Sequence, residues 1–286
     1  MRALIETLFD VVYLISVITI GITMIRKSNG NKEYRLFGIM AVVLGAGDAF
    51  HLVPRALALC TTGLENFTTA LGIGKFITSI TMTVFYIILY YVWRIRYKIH
   101  GKTNITIAIY IFAALRIILC FFPQNKWLSA AAPLSWGIYR NIPFALLGLL
   151  VIILFYQSSR KENDKEFRNM WLTIVLSFGF YIPVVLWADT IPMIGMLMIP
   201  KTCAYVWTVL IGYQAMKKEQ QKKNSYQELS PIAVFMFCNM LLHQRSKWQK
   251  DTFHNSFFSA PFCKFLPRIR NTICNIFTIY IIICFH

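Results

Sequence analysis

Residues 5–25 read IETLFDVVYLISVITIGITMI, and Arg26 and Lys27 follow them directly. A mainly apolar stretch of about 20 residues can cross the ~30 Å hydrocarbon core of a bilayer as one α-helix. In a secretory signal peptide the positive charges come before the apolar run and a small-residue cleavage pattern comes after it. Here Arg2 alone precedes the run, Arg26 and Lys27 follow it, and no such cleavage pattern is present. The stretch therefore predicts a retained membrane-spanning helix.

Six further apolar stretches of similar length follow the first. They lie at 36–59, 71–93, 104–122, 137–157, 170–189 and 193–214. The chain is 57% hydrophobic and 14% charged, whereas an ordinary soluble domain carries about 25% charged residues. The sequence predicts an all-α integral membrane protein built as a seven-transmembrane-helix bundle.

The basic residues between the predicted spans alternate in density. Four Lys or Arg residues follow each odd-numbered span, whereas the even-numbered connections carry only Lys126 and the N-terminus only Arg2. Cytoplasmic loops of membrane proteins are enriched in Lys and Arg. We therefore expect the N-terminus outside, the end of helix 7 in the cytoplasm and a multi-pass location in the cell membrane. The same clusters account for the formal charge of +17, so nucleic acid is not an expected partner.

The composition changes after Asn224. Residues 225–286 mix polar, basic and aromatic residues, and their apolar runs at 232–243 and 272–286 are short for a membrane span. We expect a seven-helix transmembrane domain over 1–224 and an atypical tail over 225–286. The tail could be interfacial, re-entrant or not under selection.

Ionisable residues inside the predicted spans point to the functional region. A charge at mid-bilayer costs about 2.5–3.5 kcal/mol, so such residues should face one another or a polar cavity. By the predicted topology they all fall at mid-depth or in the outer half, which predicts a polar pocket opening away from the cytoplasm. They are Asp48, His51, Arg55, Lys75, Arg116, Arg140, Asp189 and Lys201.

The second span contains the densest set, in the stretch GAGDAFHLVPR at 45–55. Asp48, His51 and Arg55 are spaced at i, i+3 and i+7, which places them on one helix face. We expect them to form a linked ladder of acid, imidazole and guanidinium. A salt bridge that only fixes helix packing is the alternative.

Glycine and proline in the same stretch predict local backbone features. Gly45 and Gly47 would allow a neighbouring helix to approach closely. Pro54 removes the hydrogen bond that its N–H would have given to the carbonyl of Phe50, and we expect this freed carbonyl to line the pocket.

Two later prolines lie beside polar residues. Pro200 precedes Lys201, and Tyr205 follows one turn further along the same face. Pro183 interrupts the sixth span beside Tyr181. These prolines, with Pro54, are candidate helix breaks for a conformational change.

The charges assigned to the pocket favour an anionic ligand. Five cations (Arg55, Lys75, Arg116, Arg140, Lys201) face two carboxylates (Asp48, Asp189) in this assignment. A net positive pocket suits a carboxylate, a phosphate or a lipid headgroup. The alternative for Arg55, Lys75 and Arg140 is that they extend individually to the headgroup region. The candidate binding residues are Asp48, His51, Arg55, Lys75, Arg116, Arg140, Tyr181, Asp189, Lys201 and Tyr205.

Three functional classes remain open at this point. The first is a receptor or transporter for a small anionic ligand or lipid headgroup. The second is an intramembrane lipid hydrolase in which Asp48 and His51 activate water. The third is a membrane scaffold whose charges pair with one another. No cofactor or metal is expected, because the chain has no CxxC motif and His51 is the only histidine in the predicted spans.

Overall fold

A computed structural model describes the backbone of residues 2–61, 63–129, 132–188 and 190–251, and the side chains of most of these up to residue 224. Over these ranges the secondary structure is helical throughout. Seven helices are long and apolar enough to cross a membrane. The prediction of an all-helical protein with seven helices of membrane-spanning length and composition is confirmed.

The seven helices match the seven predicted stretches to within several residues at most boundaries. Short 3₁₀ segments at Leu64–Phe67, Pro123–Asn125 and Pro192–Leu197 lie in the connections that follow α2, α4 and α6. The helices are α1 (Arg2–Arg26), α2 (Lys32–Cys60), α3 (Thr68–Arg96), α4 (Thr103–Phe121), α5 (Leu134–Lys161), α6 (Met170–Trp187) and α7 (Met198–Asp251).

The start of the seventh helix differs from the expectation. The predicted span at 193–214 begins as a 3₁₀ helix, and α7 starts only at Met198. Pro200 therefore lies in the first turn of α7, where proline is tolerated because first-turn N–H groups lack an α-helical partner. The expectation of a helix break at Pro200 is wrong. Pro54 and Pro183 do lie inside α2 and α6.

The chain divides into two compact units, Met1–Lys222 and Lys223–His286. The first contains α1 to α6 and the greater part of the seventh membrane-length segment. In the second, the helical backbone of α7 continues to Asp251 and includes the apolar run at 232–243. The run at 272–286 lies outside the described residues.

Consecutive helices in the first unit pack side by side: α1 with α2, α2 with α3, α4 with α5 and α5 with α6. The largest buried side chains are concentrated on α3, among them Phe85, Tyr86 and Trp93. α7 joins this core where Thr208 Oγ1 donates to Thr173 Oγ1 of α6 at 2.8 Å. We call the end of the bundle where α2 finishes the Cys60 end, and the opposite end, where α3 finishes, the Arg96 end.

Two glycines set the crossing of α2 and α3. A Cβ on Gly47 would overlap the side chain of Thr81, and a Cβ on Gly74 would overlap the carbonyl of Phe50. Thr78 Oγ1 also donates to the carbonyl of Gly47 at 3.0 Å. The prediction of close approach at Gly47 is confirmed. The carbonyl of Phe50 packs against Gly74, so the expectation that it lines a polar pocket is wrong.

Candidate functional site

Two polar residues of α2, Asp48 and Arg55, face α1. Arg55 Nε donates to Glu6 Oε1 at 2.5 Å, and Tyr13 Oη donates to Asp48 Oδ2 at 2.7 Å. Asp48 and Arg55 therefore each bind a residue of α1, and the expected ladder through His51 is not formed. The reason is that α1 packs along α2 and brings its own polar side chains to these positions.

Two acidic residues of α1 were missed by the sequence reasoning, although both lie inside the first predicted span. Glu6 and Asp10 are four residues apart, and Tyr13 follows three residues later, so all three share one face of α1. Asp10 Oδ2 and His51 Nδ1 are buried and have no hydrogen-bond partner among the described residues. The assumed number of carboxylates near the pocket was therefore too low.

Lys201 is buried near the start of α7, with 7% of its surface exposed. Its Nζ lies 4.7 Å from the ring centroid of Tyr181 and 5.3 Å from that of Tyr205. An ammonium at these distances is attracted to the negative face of an aromatic ring. Asp48 and Arg116 are the charged groups that interact with it electrostatically. The structure thus brings together five candidate residues from α2, α4, α6 and α7.

Arg116 is the most deeply buried cation described, with 2% of its surface exposed. Its Cζ lies 3.3 Å from the ring centroid of Phe144. Its Nε and Nη1 are buried and have no hydrogen-bond partner in the described part of the chain. Burying a charge without partners is costly, so this guanidinium is equipped to bind an acceptor that the protein itself does not provide.

Hydroxyl and amide groups surround the two cations. Tyr181 Oη donates to Asn141 Oδ1 at 3.0 Å, and Tyr86 Oη lies 3.3 Å from Ser177 Oγ. Nothing in the sequence singles out Phe144, since one phenylalanine in an apolar span resembles many others. We call the set Asp48, Arg116, Phe144, Tyr181, Lys201 and Tyr205 the central cluster.

The other sequence candidates are not members of the central cluster, although Arg140 interacts electrostatically with its Arg116 and Tyr181. Arg140 Nη1 donates to Asn125 Oδ1 at 2.9 Å, and its Cζ lies 4.3 Å from the ring centroid of Trp127. This arginine therefore contacts the connection between α4 and α5. Lys75 is exposed near the start of α3, and Asp189 lies outside the described residues.

An apolar groove lies beside the central cluster, between α5 and α6. It has a volume of about 180 Å³, and its walls include Phe144 and Tyr181 of the cluster together with Asn141, Ala145 and Val185. The groove and the cluster thus share two aromatic side chains.

A separate ion network occupies the Arg96 end. Arg96 binds Asp164 through Nε and Nη2 at 2.9 and 3.0 Å, Glu33 through Nη1 at 3.2 Å and Glu166 through Nη2 at 3.1 Å. A surface cavity of about 850 Å³ lies over it, lined partly by Lys218. In the sequence Arg96 is one of the four basic residues that follow the third span, and nothing local shows that three carboxylates converge on it.

Within the described residues, no group of three or more His, Cys, Asp or Glu side chains could hold a metal ion. The central cluster offers two cations, tyrosine hydroxyls and one carboxylate, a donor-rich set that suits the recognition of an anion. No protein-family model matches this chain, and no curated protein or solved structure is significantly similar to it.

Proposed function

We propose that this protein binds a small anionic ligand, or the anionic headgroup of a lipid, at the central cluster and acts in the cell membrane as a receptor or transporter. The observation that supports this best is Arg116, which presents two buried nitrogen atoms without partners. A carboxylate or phosphate oxygen would supply the missing acceptor as a charge-assisted hydrogen bond.

The charges of the central cluster favour one negative charge in the ligand. Within the cluster, two cations, Arg116 and Lys201, stand against one carboxylate, Asp48, which leaves an excess of one positive charge. Arg140 beside Arg116 and Asp10 beside Asp48 add one formal charge of each sign and leave this excess unchanged. Asp48 also accepts the hydrogen bond of Tyr13. A monoanion would neutralise the cluster and leave the hydrogen bond from Tyr13 to Asp48 in place.

The loop charges support an outward-facing site. Four Lys or Arg residues follow each odd-numbered predicted span, which places the Arg96 end in the cytoplasm by the positive-inside rule. Arg116 lies five residues before α4 ends at Phe121, about 8 Å from the Cys60 end at ~1.5 Å per residue. The central cluster then lies in the outer half of the bilayer.

No contact favours the lipid hydrolase over this function. Asp48 is engaged by Tyr13, and the buried Nδ1 of His51 has no partner in the described structure, so the two do not form an acid–base pair. If the protein is instead a scaffold whose charges pair with one another, small anions should not stabilise it.

The test compares the full-length protein with Arg116→Met in thermal unfolding experiments, with acetate and inorganic phosphate titrated separately. An anion that binds only the folded state raises the unfolding temperature, so we expect the wild-type protein to be stabilised. Arg116→Met should lose this response. In buffer with little anion it should be more stable than wild type by about 1–3 kcal/mol, because an apolar side chain replaces an unpartnered buried charge.

Arg168→Met is the matched control, since Arg168 is exposed on the loop between α5 and α6. This variant should respond to anions as the wild type does. The contrary outcome is that neither anion stabilises the wild type and that Arg116→Met is destabilised at every anion concentration. The buried charges would then be paired internally, and the protein would be a scaffold and not an anion-binding protein.

A further inference from the structure

The apolar groove between α5 and α6 meets the central cluster at two side chains. The ring of Phe144 contacts the Arg116 guanidinium and also lines the groove. The ring of Tyr181 faces Lys201 Nζ and also lines the groove. A single molecule could therefore place a charged group at the cations and an apolar group in the groove.

The groove opens on the lipid-facing side of the bundle. Ile142 of α5 and Ile182 of α6 line it and are 51% and 45% exposed. A pocket for a drug-sized ligand holds about 300–1,000 Å³, whereas this groove holds about 180 Å³. Its size suits part of one hydrocarbon chain, and its position lets that chain enter sideways from the bilayer.

We propose that the anion bound at the central cluster is the head of a single-chain lipid whose hydrocarbon chain lies in the groove between α5 and α6. This inference rests on the proposed function and names the class of ligand. The excess of one positive charge matches one acidic head, and the small groove matches one chain. The Phe144 ring contacts Arg116 on one side and lines the groove on the other, so the proposal requires this ring to move when the lipid binds.

The hydrogen bond between Tyr181 and Asn141 marks the polar border of the groove. Both residues line it, and Tyr181 Oη donates to Asn141 Oδ1 at 3.0 Å. Among the described residues, they are the only polar ones that line the groove, whose other walls are Ile, Val, Leu, Ala and Phe. A lipid would therefore align with its head towards these two side chains and the cations behind them.

The test measures equilibrium binding of radiolabelled oleate to the full-length protein in phosphatidylcholine nanodiscs. Ala145→Trp fills the groove, and Ala114→Trp is the matched control because Ala114 is exposed on α4, outside the groove. Excluding two methylene groups of the chain costs about tenfold in affinity. We expect Ala145→Trp to weaken oleate binding by at least this factor and Ala114→Trp to leave it unchanged.

Two further controls test the contributions of the acidic head and of the hydrocarbon chain to binding separately. Oleyl alcohol, which has the chain without the charge, should not compete with oleate, and Arg116→Met should weaken oleate binding. Unchanged oleate affinity in Ala145→Trp would overturn the inference, as would equal competition by phosphatidylglycerol, which carries two chains.

The two proposals fail in different ways. If acetate stabilises the wild type but not Arg116→Met, while Ala145→Trp binds oleate normally, the anion site stands and the lipid inference is wrong. If Arg116→Met changes neither the stabilisation by acetate and phosphate nor the binding of oleate, the proposed anion site itself is wrong.

Discussion

Asp164 follows α5, and two nitrogen atoms of Arg96 bind its carboxylate at 2.9 and 3.0 Å. Burial alone would raise the pKa of this carboxyl, but the hydrogen bonds and charge of Arg96 outweigh burial and lower the pKa from its ordinary value of 3.8. A carboxyl whose pKa is lower in the folded state stabilises the protein above its unfolded pKa. That stabilisation is lost as the pH falls through the folded pKa.

We therefore predict that Asp164→Asn lowers the free energy of unfolding near neutral pH by on the order of 2 kcal/mol. The difference from wild type should shrink as the pH falls below 3.8, because the wild-type carboxyl then becomes protonated. Asparagine keeps an oxygen for the backbone N–H groups of Glu166 and Phe167, which Asp164 Oδ1 accepts. The substitution therefore removes the pairing with Arg96 together with the hydrogen bond that Oδ2 accepts from Tyr97 Oη at 3.3 Å.

The measurement is unfolding of the detergent-solubilised full-length protein across a pH series. Glu162→Gln serves as the control, since Glu162 is exposed on the same loop and should change stability little. A difference between Asp164→Asn and wild type that stays constant down to the acid range would contradict the assigned pairing.

Individual charges could be found in the sequence, but their partners could not. Arg55 was expected to bind on its own helix, whereas it binds Glu6 of α1. Spacing along one helix shows which side chains share a face, but the rotation of a neighbouring helix decides what faces them. For the same reason the burial of Arg116 against Phe144 became visible only in the folded structure.

Helices were the most predictable level of organisation. A run of about 20 apolar residues must satisfy its backbone groups internally in a bilayer, so hydropathy alone locates such helices. The exception was the start of the seventh, where Pro192–Leu197 forms a 3₁₀ helix before α7. Hydropathy reports burial in lipid but does not distinguish a 3₁₀ turn from an α-helix.

The close crossing of α2 and α3 gives a prediction about how helix packing contributes to stability. Gly74→Ala should lower the free energy of unfolding by about 1–3 kcal/mol, because the added methyl group would overlap the backbone of α2 at Phe50. Gly179→Ala is the matched control on α6, where an added Cβ meets nothing within 4 Å. Alanine there should be neutral or stabilising by up to about 1 kcal/mol, because it favours the helix.

Unfolding in a denaturing detergent titration would measure both variants. Equal effects of Gly74→Ala and Gly179→Ala would mean that helix propensity, and not the close contact between α2 and α3, governs these positions.

At the scale of the whole molecule, the described side chains of Met1–Lys222 include two polar regions near opposite ends of the bundle. The central cluster lies towards the Cys60 end, and Arg96 joins α3 to Glu33 of α2 and to the α5–α6 loop at the other end. Large aromatic residues of α3, including Tyr90 and Trp93, are buried between these regions. A ligand site near one end and an ion network at the other would suit a protein in which one end opens while the other stays closed.

The proposed orientation gives a prediction for the complete bundle. Cys60 is exposed at the end of α2, so a membrane-impermeant maleimide should label it on intact cells when every other cysteine is replaced by serine. A protein with Cys60→Ser and Lys165→Cys should react only after the cells are permeabilised, because Lys165 is exposed on the loop at the Arg96 end. The reverse pattern would place the central cluster near the cytoplasmic face, and its ligand would then have to come from the cytoplasm or the inner leaflet.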